Sequence, residues 1–469
     1  MGAAEDLARI LGRDKVVAEE AIVRLYSREP SGLAAGELPE AVVFPESAGD
    51  ASRLMAYAYR HGVRVYPQGS TTSLSGSSVP EGGVVVSMER MDSVREVSVV
   101  DSIAVAEAGV RIDELNALLA GRGYMFPVDP ASASVATVGG AVNSGAGGMR
   151  GAKYGTMRDW VLGLQVVLAD RDGTVMRVGC RTVKCRQGYD LVRLIVGSEG
   201  TLALVTEAVL RITPLPENVV TALAFFPGLG ELAGAAVAVK EAGVQPYIME
   251  FMDEETTRAA AEFTGAGFEA EGAMLLVSVD VNREATERAA RWLSETMRRA
   301  GAASVYTARS MGEAEEKGLF AVRRAFLPAQ GYVAERRGMR RHMVYIEDVA
   351  VPPSRLVEAV EEISRLGDEY GLLHFMGGHI GDGNLHPSVV FDPSSPGEAE
   401  RVEEWFLEVM KVAIRLGGTV SSEHGIGTLK KKGLEMELEA LGAGKALGIM
   451  AEIKRAFDPK GILNPGKVV

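Results

Sequence analysis

The chain has 469 residues, 47% of them apolar and 24% charged. That is long enough to bury a sizeable core without disulfide or metal staples, and its composition excludes disordered and fibrous classes. The formal net charge of −13, from 63 acidic and 50 basic side chains, argues against nucleic acid as a partner, because such binding needs clustered cations to displace counterions.

Two cysteines, Cys180 and Cys185, exclude a disulfide framework and a four-thiolate cluster held by this chain alone. With no histidine nearby they read as incidental thiols rather than a metal site. No apolar run approaches the roughly 18–20 residues of a membrane helix. The segment MGAAEDLARILGRDKV lacks the order of a signal peptide, and Asp6 stands where a myristoylated terminus carries Ser or Thr. The expectation is a cytoplasmic protein, with peripheral membrane attachment through a partner left open.

In chain order, Leu7, Ile10, Leu11, Val17, Ala21 and Leu25 predict a helical preface over 4–26. A strand follows at Ala41–Phe44, then a helix capped by Ser47 and Asp50 and ending near His61-Gly62. Strands are expected at Val63–Tyr66, Val84–Met88, Val97–Val100 and Ile103–Glu107, a helix at Ile112–Leu119, and strands at Val161–Leu168 and Leu202–Ile212. Pro214 and Pro216 mark a boundary. Beyond it, strands Val219–Phe226, Met274–Val279 and Met343–Ile346 alternate with helices Glu284–Ala300 and Pro353–Tyr370. A hairpin within Leu372–Phe391 precedes helix Glu398–Leu416, and the tail helix Ala446–Phe457 stops at Asp458-Pro459. The pattern is α+β.

No G-x-G-x-x-G follows a strand, so the dinucleotide fingerprint of doubly wound folds is missing. The terminal Gly461–Val468 nearly spells a phosphate loop but has Val468 where a metal-binding hydroxyl belongs. Three other loops suit a phosphate-bearing ligand. Pro67-Gln68-Gly69-Ser70-Thr71-Thr72-Ser73-Leu74-Ser75-Gly76 leaves a strand rich in hydroxyls and glycines, whose N–H and O–H groups can cradle phosphate oxygens. Asp129–Gly148 is a second, with seven glycines over Gly139–Gly155, and Gly197-Ser198-Glu199-Gly200-Thr201-Leu202, between two apolar strands, is a third. Three such loops in one domain suggest a long ligand lying across it.

Four of the six histidines fall between 374 and 424. In His379-Ile380-Gly381-Asp382-Gly383-Asn384-Leu385-His386 the turn signal is central, so a hairpin closing at Asp382-Gly383 sets the two rings directly opposite, with Cβ atoms about 4.5–5.5 Å apart. That spacing lets two imidazoles share one metal ion. Glu423, in Ser422-Glu423-His424-Gly425-Ile426-Gly427, is the candidate third ligand, completing a set that leaves positions open for substrate. His424 suits a general base; on a strand it would point away from its neighbour Glu423, in a loop both could serve one site. His374 reads as a core histidine.

Together these motifs resemble the FAD-linked D-2-hydroxyacid dehydrogenases of the vanillyl-alcohol-oxidase and p-cresol-methylhydroxylase (PCMH) type fold, which include D-lactate dehydrogenases, the glycolate oxidase FAD subunit and D-2-hydroxyglutarate dehydrogenase. The resemblance runs from about Pro39 to Val469 and rests on PQGSTTSLSG, TVGGAVNSGAGG, GSEGTL, HIGDGNLH, SEHGIG and the terminal Asn464-Pro465-Gly466-Lys467. It implies a PCMH-type FAD-binding domain followed by an α+β FAD-linked oxidase C-terminal domain. The implied bounds are a preface 1–38, an FAD domain 39–216, a substrate or cap domain 217–440, and a segment 441–469 returning to the FAD domain.

By that resemblance FAD lies on the loop from Pro67 and Gly69 to Gly76, lined by Pro130, Ser132, Thr137, Gly139, Gly140, Asn143, Ser144, Gly145, Glu199, Gly200, Val205 and Asn464. No His or Cys occurs in 67–80 or 129–155, so the FAD is expected to be non-covalent. Arg323 matches the arginine that holds the substrate carboxylate, a role suited to a guanidinium fork. His379, His386 and Glu423 are the implied ligands of a divalent metal, zinc first, with manganese and iron as alternatives. That metal would polarise the 2-hydroxyl while His424 takes its proton and hydride passes to the flavin. The electron acceptor would be a quinone, a cytochrome, an electron-transfer flavoprotein or an iron–sulfur subunit; a homodimer is left open. Leu327 and Ile346 stand where the hydroxyglutarate branch carries Thr and Lys, which favours a smaller, D-lactate-like acid, although Arg340, Arg341 and His342 could compensate. The alternative is a non-redox, flavin-dependent alkyl-glycerone-phosphate synthase-like transferase, disfavoured because His424 has no histidine neighbour.

Overall fold

The computed structural model describes residues 2–34 and 36–469. They form two compact units. The first holds residues up to Gly148, then Gly155–Leu215 and Glu423–Val469; the second holds Met149–Tyr154 and Pro216–Ser422.

In the first unit the single helix expected over 4–26 is broken. Ala3–Leu11 is helical and buries Ala3, Leu7 and Leu11, and Gly12, at φ 112°, ends it. A tight turn Arg13–Lys15, a strand Val16–Val17 and a short helix Glu20–Val23 follow. Val16 and Val17 pair antiparallel with Val43 and Val42, so these β-branched residues take sheet bonds rather than helical ones. The four-stranded sheet runs in the order Val16–Val17, Ala41–Val43, Val84–Ser87, Val65–Gln68, its last three strands parallel. The crossover helix Ala48–His61 starts where expected: Ser47 Oγ accepts the Asp50 N–H at 3.1 Å, and Gly62, at φ 68°, closes the helix.

A five-stranded antiparallel sheet follows, ordered Val94–Ser98, Ile103–Glu107, Leu204–Arg211, Val161–Val167, Val175–Gly179. The glycine-rich stretch is not all loop. Thr137 caps a helix Val138–Ser144 through the Gly140 N–H, and Gly145, at φ 69°, ends it. The loop Gly197–Leu202 is preceded by a helix, Leu191–Ile195, not a strand; Asp190 accepts the Arg193 N–H and so nucleates that turn. The two cysteines, expected as incidental thiols, form a Cys180–Cys185 disulfide with Cα atoms 5.9 Å apart, because the turn after Val175–Gly179 folds back on itself. The C-terminal part of this unit begins at Glu423, earlier than the 441 expected. Its tail pairs with the first sheet: Val65 donates to Ile462 O at 2.8 Å, and Asn464 donates to Val65 O at 2.7 Å.

The second unit is an antiparallel sheet of eight strands. Seven lie in the order Ser304–Ala308, Asn218–Phe226, Ala273–Val281, Ile248–Met252, Leu373–Gly378, Asn384–Phe391, Met343–Ile346; Val349–Ala350 pairs separately with Asn384–Phe391. Ile248–Met252 and Ser304–Ala308 are absent from the sequence expectations above. Helices Thr286–Arg299, Leu356–Glu369 and Glu398–Arg415 form within the predicted spans. The histidine hairpin forms with a different register. Gly377, not His379, lies opposite His386, and the Asn384 N–H reaches His379 O at 3.2 Å. The turn is Ile380–Gly383, a longer loop than the tight Asp382-Gly383 turn expected, with Gly383 at φ 92°.

Candidate functional site

The three loops singled out in the first unit converge. A Cβ on Gly69 would overlap Thr137 Oγ1 and lie 3.4 Å from Gly140 Cα, so glycine is what lets the first loop reach the helix start. Ser70 Oγ donates to Val135 O across the same contact. Glu199 N–H donates to Asn143 O at 2.7 Å and Gly197 N–H to Val142 O at 2.9 Å, tying the third loop to the second. A Cβ on Gly200 would lie 3.3 Å from Pro67. Asn464 closes the group, its Nδ2 donating to Ser77 O at 3.0 Å and Glu199 O at 2.6 Å. Ser73 Oγ is hydrogen bonded to Ser75 Oγ at 3.2 Å and Ser77 Oγ at 2.7 Å.

Three non-glycine residues of this cluster hold positive φ: Thr71 at 52°, Glu199 at 54° and Asn464 at 44°. Such backbone strain persists where the surroundings over-determine it, and it concentrates at ligand clamps. Asn143 Oδ1, Ser198 Oγ and Asn464 Oδ1 are buried without a hydrogen-bond partner within the protein. Buried polar atoms are normally paired, so three orphans around one set of loops fit a ligand that supplies N–H and O–H groups. A flavin dinucleotide has those groups, and its phosphates suit the glycine and hydroxyl backbone of 69–76.

Not every candidate faces that cluster. Gly139 packs on Ala108, where a Cβ would come 2.7 Å from the Ala108 Cβ, and Val205 is 1% exposed in a strand, paired with Val166. The Pro130–Ser132 turn accepts the Ala133, Val135 and Ala136 N–H groups and abuts Gly148.

Glu199 also reaches the motif that begins at Glu423. Its Oε1 accepts the Ile426 N–H at 2.6 Å and its Oε2 the Gly427 N–H at 2.7 Å. Burial pushes its carboxyl up to about 7, against the opposing pull of those two N–H groups. Residues 423–427 are not a strand, so the alternation that would part neighbouring side chains does not apply. His424 Nε2 stands 3.9 Å from Glu423 Oε1, and Glu423 Oε2 would lie 2.8 Å from a Cβ on Gly147.

In the second unit His379 and His386 come together despite the shifted register: their ring centroids are 5.2 Å apart at an interplanar angle of 86°. Diagonal neighbours across a hairpin still touch when side chains are long. His379 Nδ1 lies 2.7 Å from Glu250 Oε1, and His386 Nδ1 3.2 Å from Glu347 O. Both partners are acceptors, so each Nδ1 carries the proton and each Nε2 is the atom offered to a metal. The donor chemistry therefore fits a divalent cation. His374 is not part of this pair; its Nδ1 donates to Leu372 O at 3.2 Å and its ring lies against Gly367.

Arg323 lies at the end of helix Leu319–Arg324 and is 9% exposed. Its Nε donates to Glu250 Oε2 at 2.9 Å, and Nη2 is ion-paired with the same oxygen at 2.7 Å. Gly377 makes room for that helix pair: a Cβ there would come within 3.0 Å of Phe326 Cδ2, and the Phe326 ring lies 5.3 Å below the Arg323 guanidinium carbon. Arg324 is exposed and paired with Glu315, as a surface helix arginine should be.

Sequence reasoning passed over two acids. Glu250 is fully buried in Ile248-Met249-Glu250-Phe251-Met252; a lone carboxylate in an apolar strand was the available signal. Asp348, also fully buried, accepts Asn384 Nδ2 at 2.8 Å, Ser421 Oγ at 3.0 Å, the Ser422 N–H at 2.8 Å and Ser422 Oγ. It thus fixes the two residues that precede Glu423.

Family models match the chain in two places: an FAD binding domain over 39–179 and the FAD linked oxidases, C-terminal domain over 215–468. The chain is similar to glycolate oxidase subunit GlcD of Bacillus subtilis, 36% identical over 433 residues, covering 92% of this chain and 89% of that protein. It is 35% identical over 431 residues to a D-lactate dehydrogenase of Archaeoglobus fulgidus, covering 91% of each. Among solved structures, substrate-bound p-cresol methylhydroxylase superposes with a TM-score of 0.78 at 16% identity, covering 99% of this chain and 96% of that one. An alkyldihydroxyacetonephosphate synthase superposes at 0.75 and 18% identity, covering 98% and 84%. Identities this low speak to fold alone.

Proposed function

Because the chain belongs to the FAD-linked oxidases, we propose that it oxidises a small D-2-hydroxyacid, D-lactate-like, to the 2-oxoacid. It is an FAD-linked oxidoreductase with a PCMH-type FAD-binding domain followed by an FAD-oxidase C-terminal domain. Among the described residues no helix is long and apolar enough to cross a membrane.

The observation that carries the substrate reading is the pairing, in one unit, of a buried arginine with two histidines whose Nε2 atoms are presented together. Arg323 holds the substrate carboxylate through the guanidinium edge not given to Glu250. His379 and His386, with Glu423 as third ligand, hold a divalent metal, zinc before manganese or iron. Bound there, the metal supplies Lewis acidity to the 2-hydroxyl, as the non-covalently bound flavin supplies a hydride acceptor. His424 takes the hydroxyl proton. Asp348 keeps Ser421 and Ser422 fixed, so that Glu423 and His424 leave a rigid anchor. Electrons pass on to a quinone, a cytochrome, an electron-transfer flavoprotein or an iron–sulfur subunit.

An anaerobic visible spectrum taken before and after D-lactate and a panel of D-2-hydroxyacids tests this. Bleaching of the flavin bands by one acid supports the reading. A spectrum unmoved by the whole panel, in metal-replete protein, sinks it. The transferase alternative is disfavoured because His424 has no histidine neighbour, and its structural neighbour, at 18% identity, speaks to the fold alone.

A further inference from the structure

Glu250 divides one carboxylate between two functional side chains. Its Oε2 accepts Nε of Arg323 and is ion-paired with Nη2, and its Oε1 accepts Nδ1 of His379. The Glu250 side chain is wholly buried, that of Arg323 11% exposed and that of His379 7% exposed. We propose that Glu250 is a positioning residue that sets the His379 tautomer and the Arg323 orientation at once, making metal retention and substrate-carboxylate affinity depend on one side chain. This rests on the functional reading above for the roles of Arg323 and His379, but the tautomer is decided by Glu250 whatever those roles are.

The argument is one of donors and acceptors. An ionised carboxylate only accepts, so Nδ1 of His379 must carry the proton and Nε2 must present its lone pair. Arg323 offers only donors, so it too requires an acceptor, and the two Glu250 oxygens satisfy both neighbours without a proton being shared. The strand supplies the rigidity. Phe251 and Met252 pair with Gly378 and Gly377, placing Glu250 one residue before the hairpin contact, on a strand buried along its whole length. An amide cannot meet both demands. In Glu250→Gln the oxygen goes to the charged guanidinium, the stronger donor, and the NH2 group then faces Nδ1. His379 must accept there, its proton moves to Nε2, and the metal-facing lone pair is lost.

The test uses the full-length FAD-loaded protein labelled with 15N-histidine, the His379 ring being assigned by difference against His379→Gln. Wild type should show Nδ1 protonated. Glu250→Gln should show protonation at Nε2, with FAD content unchanged. Zinc affinity, titrated with ZnCl2 and checked by elemental analysis, should fall about 10–100-fold, and the apparent KM for the hydroxyacid should rise. Glu250→Asp keeps the charge and should keep the wild-type tautomer. A wild-type His379 protonated at Nε2 would overturn the inference without any variant, as would an unchanged tautomer and zinc affinity in Glu250→Gln. A tautomer switch in a protein that binds no zinc even as wild type would uphold the tautomer assignment, overturn its link to metal retention, and remove the metal from the functional reading.

Discussion

The carboxylate of Glu199 accepts the backbone N–H of Gly427 at 2.7 Å, joining residues 228 positions apart. The same side chain holds the Ile426 N–H, and its backbone carbonyl holds Asn464. One acid thus binds a glycine loop, the segment after His424 and the C-terminal tail into a single cluster, from a fully buried position.

That burial has a pH consequence. The Glu199 carboxyl is raised to about 7 when folded, against about 4.3 for an unperturbed Glu. Stability from its protonated form is complete below the unfolded value and is lost as pH rises through the folded one, a span worth about 4 kcal/mol. Melting temperature should therefore decline from pH 5 to pH 8 in wild type. Glu199→Gln should flatten that slope; an equal slope in the variant would rule Glu199 out as its source.

Asn464 sits at positive φ with a donor engaged twice and an orphaned acceptor. Asn464→Ala should destabilise the protein by about 1–3 kcal/mol through the lost buried bonds. It should also weaken FAD retention by about tenfold. Flavin fluorescence released on dilution measures the second effect. Undisturbed retention would place Asn464 outside the cofactor cradle.

Arg323→Lys should raise the hydroxyacid KM by about 10–100-fold, because a point charge cannot serve Glu250 and a substrate carboxylate in the fork geometry of guanidinium. Arg323→Ala should also lower stability by about 3–5 kcal/mol by leaving Glu250 buried and unpaired. Steady-state kinetics and chemical denaturation separate the two effects. A normal KM in Arg323→Lys would assign the carboxylate to another residue.

Asp348→Asn sets an NH2 group against at least one of the four donors that Asp348 now accepts. The Ser421-Ser422 segment should loosen and kcat should fall by about tenfold or more, at unchanged FAD content. Stopped-flow flavin reduction reads this directly. Reduction at the wild-type rate would show that Glu423 and His424 are held by other contacts.

Much of the site was legible as chemistry before it had a shape. Glycines and hydroxyls at 69–76, 137–148 and 197–202 marked places where backbone must approach a ligand. Rare histidines around a turn pointed to two rings brought together, and their centroids do lie 5.2 Å apart; the family followed from six motifs in order. The details of pairing were not legible. Whether the hairpin turns over two residues or four depends on how Gly377 and Gly378 meet Met252 and Phe251, contacts absent from the local pattern. Val16 and Val17 fit a helical period as well as a strand, and the strand wins only because Val42 and Val43 are there to pair.

The sequence by itself determined which groups are available: the hydroxyl and glycine loops, Arg323, His379, His386, Glu423 and His424, each a residue type able to donate, accept or ligate. The tertiary structure decided who supports them. Glu250 and Asp348 are ordinary acids in the sequence, and they acquire roles only when burial strips their water and leaves Arg323 and His379, or Ser421, Ser422 and Asn384, as their hydrogen-bond partners. Local pattern reports what a side chain can do; desolvation and long-range pairing decide what it must do.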